Sequence, residues 1–305
     1  MPSIPKASDL RPFPTSQCVR YDTPFDKEAP MIRCLSVSPG GQYLASGATD
    51  GFVRMWEVST GRLMKSWNVS SVALSLEPSK DKTEIEESTP EIKPVVSLQW
   101  NPNKSHHCLV AAVGSSVIII ATGTGGVRDA QVTDALLSKA ASNEEQKISK
   151  TDEETKTDIN SVVLWKSLIK LKDRHEKTVS AFGGFSGPVC AIQCLKGEIS
   201  CVKWHARGDY VLSISPKATV GASVLIHRIS SASSQQPFKK NIKGSEVQCA
   251  CFHPSKPFLF VATKQHIRIY HLLQQNMVKR EYFFSDFLLS IPLLREMAHN
   301  ERTGS

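Results

Sequence analysis

Aromatic residues make up only 7% of this 305-residue chain, and no run approaches the ~18 consecutive apolar residues that a membrane-spanning helix needs. The opening residues Met1-Pro2-Ser3-Ile4-Pro5-Lys6 lack the apolar core of a secretory signal. The nearest apolar run, Tyr282–Leu294, is short and broken by Asp286 and Pro292. Together these absences predict an intracellular, soluble chain. Cysteine, at 8 residues, is too sparse for a disulfide-stapled secreted domain. Cys190-x-x-x-Cys194 has no second ligand pair at zinc-site spacing, so no metal is expected, nor any other cofactor.

Catalytic signatures are also missing. Gly123-Thr124-Gly125-Gly126 lacks the Gly-Lys-Ser/Thr of a phosphate loop and has no convincing helix start behind it, so it reads as a turn after a Val117–Ala121 strand. Gly184-Phe185-Ser186-Gly187-Pro188 fails the nucleophile-elbow pattern because proline stands two residues after Ser186. His106-His107, and His205 with Asp209, fall in inter-strand turns with no nucleophile beside them. A non-enzyme is expected, with no catalytic residues and no small-molecule substrate.

What is present is an ordinary globular composition, 40% hydrophobic and 22% charged, which excludes fibrous, collagen-like and wholly disordered chains. The net charge of +8 is unevenly spread. Ser75–Pro94 and Ser142–Asp158 each carry a net −3, leaving +14 on the rest. Both acidic stretches read as solvated insertions that bury too little surface to offset chain entropy. Lysines and arginines cluster at Lys166, Lys170, Lys172, Arg174 and Lys177, and again at Lys239, Lys240 and Lys243 beside Phe238. Such clusters either neutralise RNA phosphates or form a soluble basic surface, and composition does not choose between the two.

A repeat organises the chain. Ile32–Pro39, Tyr43–Gly47 and Phe52–Val58 share their grammar with Val247–Pro254, Phe258–Ala262 and Ile267–Leu272. Between them lie Val95–Pro102 with Val117–Ala121, and Ile199–Ala206 with Val211–Ser215 and Val224–Ile229. Short β-branched and aromatic runs separated by turn residues are the pattern of antiparallel meanders, and Asp50-Gly51 supplies the positive φ of a tight hairpin. Five residues before Pro39, Pro102, Ala206 and Pro254 stand Cys34, Ser97, Cys201 and Cys249. A small residue recurs at one repeat position, so these thiols read as packed side chains rather than ligands. Four-stranded units repeated about an axis make a β-propeller.

The stretch from Leu44-Ala45-Ser46-Gly47 through Asp50-Gly51 to Val53-Arg54-Met55-Trp56-Glu57 resembles the strand-turn-strand core of the WD-repeat superfamily. The resemblance implies a structural turn network at Ser46, Asp50 and Trp56, although the Gly-His dipeptide that supplies the family's histidine is absent. The order of Ile4–Pro14, Ile32–Gly41, Trp204–Tyr210, Val224–His227, Pro237–Lys240, Phe252–Leu259 and Arg268–Leu273 resembles, more narrowly, the block-of-proliferation/Erb family of ribosome biogenesis proteins.

That resemblance implies an all-β scaffold, a WD-repeat propeller showing about four recognisable blades of seven. It implies action in the nucleus, nucleolus and nucleoplasm, in maturation of 28S-type and 5.8S rRNA and assembly of the 60S subunit. The implied partners are a Pescadillo homologue, a second WD-repeat protein, and pre-60S particles with their rRNA, and no membrane. Lys239, Lys240 and Lys243 become candidate RNA contacts, and Arg54 and Arg268, equivalent across two repeats, become candidates for partner docking. The family's segment before the propeller, which carries much of the Pescadillo contact, is not seen here, and the expectation is an incomplete or mis-spliced version of a longer protein, or an open end capped by Tyr282–Leu294. A generic WD-repeat adaptor and an RNA-processing enzyme are the alternatives.

The expected organisation is a lead-in at 1–31, a blade at 32–74, an acidic insertion at 75–94 and a blade at 95–125. An insertion at 126–198 follows, containing the acidic segment 142–158. A blade at 199–235, a basic loop at 236–246, a blade at 247–280 and an atypical tail at 281–305 complete the chain.

Overall fold

The computed structural model describes residues 30–77, 92–142, 162–169, 184–218, 222–237, 247–274 and 276–282. The lead-in motif, residues 78–91 and 143–158 of the acidic stretches, and the tail after Tyr282 lie outside the described residues. The described residues form four antiparallel sheets. In the first, β1 (Ile32–Val37), β2 (Tyr43–Ala48), β3 (Phe52–Glu57) and β4 (Leu63–Asn68) follow one another as a meander. Helix α1 (Val69–Ser75) follows directly, its first turn capped by the Asn68 side chain, which accepts from the Ser71 amide.

The second sheet takes β5 (Val95–Trp100), β6 (Cys108–Val113) and β7 (Ser116–Ala121) in the same order. The chain then leaves it through α2 (Val127–Ser142), and returns as β8 (Val163–Ser167) and β9 (Gly187–Cys194). β9 pairs with β7 and β8 adds outside it, giving the order β5-β6-β7-β9-β8. The third sheet runs β10 (Cys201–Trp204), β11 (Tyr210–Ile214), β12 (Val224–Arg228) and β13 (Ser233–Gln235). The fourth runs β14 (Val247–Phe252), β15 (Phe258–Thr263), β16 (His266–His271) and β17 (Asn276–Tyr282).

Registry repeats from sheet to sheet. Cys34 faces Gly47, Ser97 faces Ala112, Cys201 faces Ile214, and Cys249 faces Ala262. A bulge precedes the same position in three of the sheets, between Ile32 and Cys34, Val95 and Ser97, and Val247 and Cys249. A recurring bulge bends and twists each first strand alike, which lets successive sheets pack at a constant turn. The first strands do pack in chain order, β1 on β5, β5 on β10 and β10 on β14. Among the described residues no comparable contact joins β14 to β1.

Alternation along the strands explains the packing between sheets. On β7, Ile118 and Ile120 join the core shared with the first sheet, and Val117 and Ile119 join the core shared with the third. Both faces being covered, β6 and β7 are buried throughout and read as near-continuous apolar runs. Each fully buried isoleucine contributes about 1.5–3 kcal/mol of burial free energy. The Asp50-Gly51 turn lets this packing begin. Gly51 has φ +74°, and a Cβ there would stand 2.2 Å from the Ser70 Cβ. Its carbonyl accepts from the amides of Val69 and Ser70, so the turn also seats α1.

The sequence expectation needs correcting between 126 and 198, where the structure builds part of the second sheet rather than a detached insertion. β9 supplies that sheet's fourth strand, and α2 packs on β8 and β9, burying Leu136, Leu137, Ala140 and Ala141 in their shared core. β9 eluded the repeat pattern because its partner β7 lies far back along the chain. Gly123–Gly126 is the expected loop after the strand, but a 16-residue helix starts behind it at Val127, where no helix start is expected from the sequence. The tail expected from 281 begins two residues late, because β17 runs through Tyr282.

Candidate functional site

The first hairpin gathers the residues singled out from the sequence, but as two separate pairs. Trp56 Nε1 donates to Ser46 Oγ at 3.2 Å. Asp50 instead serves Arg54, accepting from its guanidinium at 3.2 and 2.5 Å, and accepts the Phe52 amide at 3.1 Å. The guanidinium also lies over the Phe52 ring, 5.0 Å from its centroid. Arg54 thus holds the aspartate, and the charge-assisted fork locks the turn.

Arg54 and Arg268 occupy equivalent positions, opposite Ser46 and Val261. They are 8% and 6% exposed, so the partner-docking expectation is corrected at both: each guanidinium lies within a sheet face rather than on an accessible surface. Lys239, Lys240 and Lys243 lie outside the described residues, as do Lys170, Lys172, Arg174 and Lys177.

A second network escaped the sequence reading. In the third sheet, Ser213 and His227 stand where the first has Ser46 and Trp56, in the same register. His227 is fully buried. Its Nε2 lies 2.8 Å from Ser213 Oγ and its Nδ1 2.8 Å from Ser234 Oγ. Ser234 Oγ accepts in turn from Trp165 Nε1 on β8, at 2.9 Å, and the Trp165 ring meets the imidazole edge-on. At the other end, Ser213 Oγ contacts Cys194 Sγ on β9, at 3.9 Å. The β8–β9 hairpin of the second sheet is therefore clamped to the third through one histidine. Burial holds the imidazole far below its ordinary value, at a pKa of about 3, so it is neutral. Aligning Val224-Leu225-Ile226-His227 on Val53-Arg54-Met55-Trp56 would have found it, but the histidine was sought only in a Gly-His dipeptide.

Asp209, His205, His107 and Ser186 are engaged within the fold. Asp209 accepts from Arg228 Nε at 3.0 Å and from the Ser230 amide and hydroxyl at 2.9 Å, so it is not paired with His205. His205 Nδ1 accepts the Arg207 amide at 3.2 Å. His107 Nδ1 shares a hydrogen bond with Thr124 Oγ1 at 2.9 Å, and Ser186 Oγ accepts from Lys65 Nζ at 2.8 Å. A Cβ on Gly125 would come within 2.8 Å of His107 Nε2, so the glycine-rich loop packs on the histidine rather than opening a cradle. Cys108 and Cys194 are buried, their pKa values pushed up to about 12, and burial raises Cys190 as well. Cys249 and Cys251 are exposed, unlike the packed thiol expected at the Cys249 position.

The WD domain, G-beta repeat model matches residues 22–57, the first unit of the series. Ribosome biogenesis protein bop1-A of Xenopus laevis is 35% identical over 288 residues, covering 92% of this chain and 31% of that protein. Ribosome biogenesis protein ERB1 of Malassezia globosa is 31% identical over 284 residues, covering 92% of this chain and 28% of that protein. The chain is thus similar to BOP1 and ERB1 proteins along 92% of its length. It spans a little under a third of the length of these BOP1/ERB1 relatives. Among solved structures, the Myceliophteria thermophila Cps50 (Swd1) beta-propeller domain aligns at a TM-score of 0.46 and 11% identity, over 85% of this chain and 57% of that one.

Proposed function

We propose that this chain is a non-catalytic scaffold in ribosome biogenesis, acting in the nucleus and nucleolus on the maturation of 28S-type and 5.8S rRNA and on assembly of the 60S subunit. Its partners are a Pescadillo homologue, a second WD-repeat protein and pre-60S rRNA. The observation that carries the reading is a likeness to the BOP1/ERB1 proteins that runs along 92% of the chain rather than through one repeat. The internal use of Asp209, Ser186, His107 and His227 is in keeping with a scaffold, because these groups hold turns and sheets together.

Affinity purification of the tagged chain tests the reading. It should recover a Pescadillo-like protein, a WD-repeat partner and large-subunit pre-rRNA. Recovery of none of them would leave a generic WD-repeat adaptor. Direct RNA contact through the basic loop is tested by changing Lys239, Lys240 and Lys243 to glutamate and titrating rRNA binding against salt. The salt slope should become shallower by about 2, given ~0.7 per phosphate neutralised on single strands. An unchanged affinity and slope would remove the loop from the RNA interface.

A further inference from the structure

Three consecutive sheets carry turns built to one plan. The β5–β6, β10–β11 and β14–β15 turns open on Asn101, His205 and His253, each the residue that follows its sheet's first strand. Asn101 Oδ1 accepts the Asn103 amide at 2.9 Å, His205 Nδ1 the Arg207 amide at 3.2 Å, and His253 Nδ1 the amides of Ser255 and Lys256 at 3.1 and 3.0 Å. A side chain that accepts an amide two residues on mimics a backbone turn and fixes the loop. Shortly after each accepting side chain stands a cation, Lys104, Arg207 or Lys256, and all three are exposed. The equivalent turn of the first sheet, residues 38–42, carries none.

The three turns lie side by side. Asn101 Nδ2 donates to the Gly208 carbonyl at 2.8 Å, which joins the β5–β6 turn to the β10–β11 turn. The His205 and Phe252 rings meet edge-on at 5.2 Å, which joins that turn to the fourth sheet. Further rings continue the line on either side: Tyr210 meets His205 at 6.1 Å, and Phe258 meets His271 at 5.1 Å. All five of these rings are only half-buried. Asp209 is the one acidic residue of the three turns, and it is already engaged by Arg228 and Ser230. This end of the second, third and fourth sheets therefore sets exposed cations beside part-exposed rings on loops that are held in place.

We propose that this surface binds single-stranded RNA, with Lys104, Arg207 and Lys256 pairing with phosphates and the rings of Tyr210 and Phe258 receiving unpaired bases. Cations that track a backbone, set among aromatic rings on which bases stack, are what single-strand binding requires, and stacking tolerates any sequence because every base has a π-face. A duplex keeps its bases stacked on one another and gives the rings nothing to hold. An acidic protein segment would answer the charges but leave the rings without a role. Because Asn101, His205 and His253 already fix the turns, little order is lost on binding. The inference deepens the function proposed above, on which it rests for the strand being pre-ribosomal RNA, and it adds a contact separate from Lys239, Lys240 and Lys243.

Fluorescence anisotropy of the purified full chain with a labelled oligouridylate of about 12 nucleotides tests this. Lys104→Glu, Arg207→Glu and Lys256→Glu together should weaken binding at least about 10-fold and make the salt slope shallower by about 2, at ~0.7 per phosphate on a single strand. The circular-dichroism melt should not change, because all three sites are exposed. Tyr210→Leu and Phe258→Leu should each weaken binding about 5–100-fold and leave the salt slope as it was, which separates stacking from charge. The unaltered chain should bind the oligouridylate more tightly than its duplex with oligoadenylate, a comparison that depends on no variant folding. Unchanged affinity and slope in the triple variant, equal binding of duplex and single strand, or competition by polyglutamate as effective as by unlabelled oligouridylate would each overturn the proposal, the last by assigning the surface to an acidic protein. The triple variant should still recover the Pescadillo-like and WD-repeat partners, so a failure here is distinct from a failure of the scaffold reading.

Discussion

Replacing His227 with alanine is expected to cost about 3–5 kcal/mol of folding stability, the range for opening a cavity in a packed core while stranding buried hydroxyls. The imidazole is fully buried and bridges Ser213 and Ser234, each at 2.8 Å. Its loss leaves both serines short of a partner and removes the ring that Trp165 meets edge-on, so the β8–β9 hairpin should loosen from the third sheet along with the global loss. Urea denaturation followed by tryptophan fluorescence measures the first effect, and hydrogen exchange across Val163–Cys194 the second. Wild-type stability in the alanine variant would show that the clamp contributes nothing.

The same residue predicts a pH dependence. Burial lowers the native pKa of His227 to about 3 from an ordinary 6.5. Below 6.5 the unfolded chain takes up a proton that the native protein refuses, so stability is complete above that pH and declines as pH falls towards 3. His227→Gln removes this titration and should flatten the acid limb. His106 and His205, also lowered by burial, leave a smaller slope in the same direction.

Asp50→Ala is expected to cost about 3 kcal/mol, because it removes the carboxylate that pairs with the buried Arg54 guanidinium. The pair is largely enclosed, with side chains 10% and 22% exposed, and the carboxylate also holds the Phe52 amide. Removing both charges should be far milder: Asp50→Ala with Arg54→Met should recover most of the loss, leaving about 1 kcal/mol for the vacated turn amide. Thermal or urea denaturation of the two single variants and the double variant gives the coupling directly. Additive losses would mean that the pair does not act as a unit.

Legibility in the sequence followed locality. The first hairpin could be read because β2, the Asp50-Gly51 turn and β3 are contiguous and each residue type suits its place. The recurring Cys34, Ser97, Cys201 and Cys249 position was read correctly as one register, and the strands bear it out. The fourth strands were missed because β4, β13 and β17, at sheet edges, need no apolar run; Ser233-Ser234-Gln235 has none. β9 and α2 were missed because what completes the second sheet lies on the far side of a long excursion. The exposure of Cys249 could not be read at all, since the repeat specifies a residue's place in its sheet but not whether another sheet covers it. Arg54 illustrates the same point from the other side, where an arginine suited to docking is consumed by the aspartate of its own turn.

Pulse-labelling of rRNA after depletion of this chain from cells that make it tests the proposed role most directly. The account predicts that 28S-type and 5.8S rRNA labelling falls and their precursors accumulate, while small-subunit rRNA is labelled as before. Equal labelling of both subunits' rRNAs, with no precursor accumulating, would contradict it.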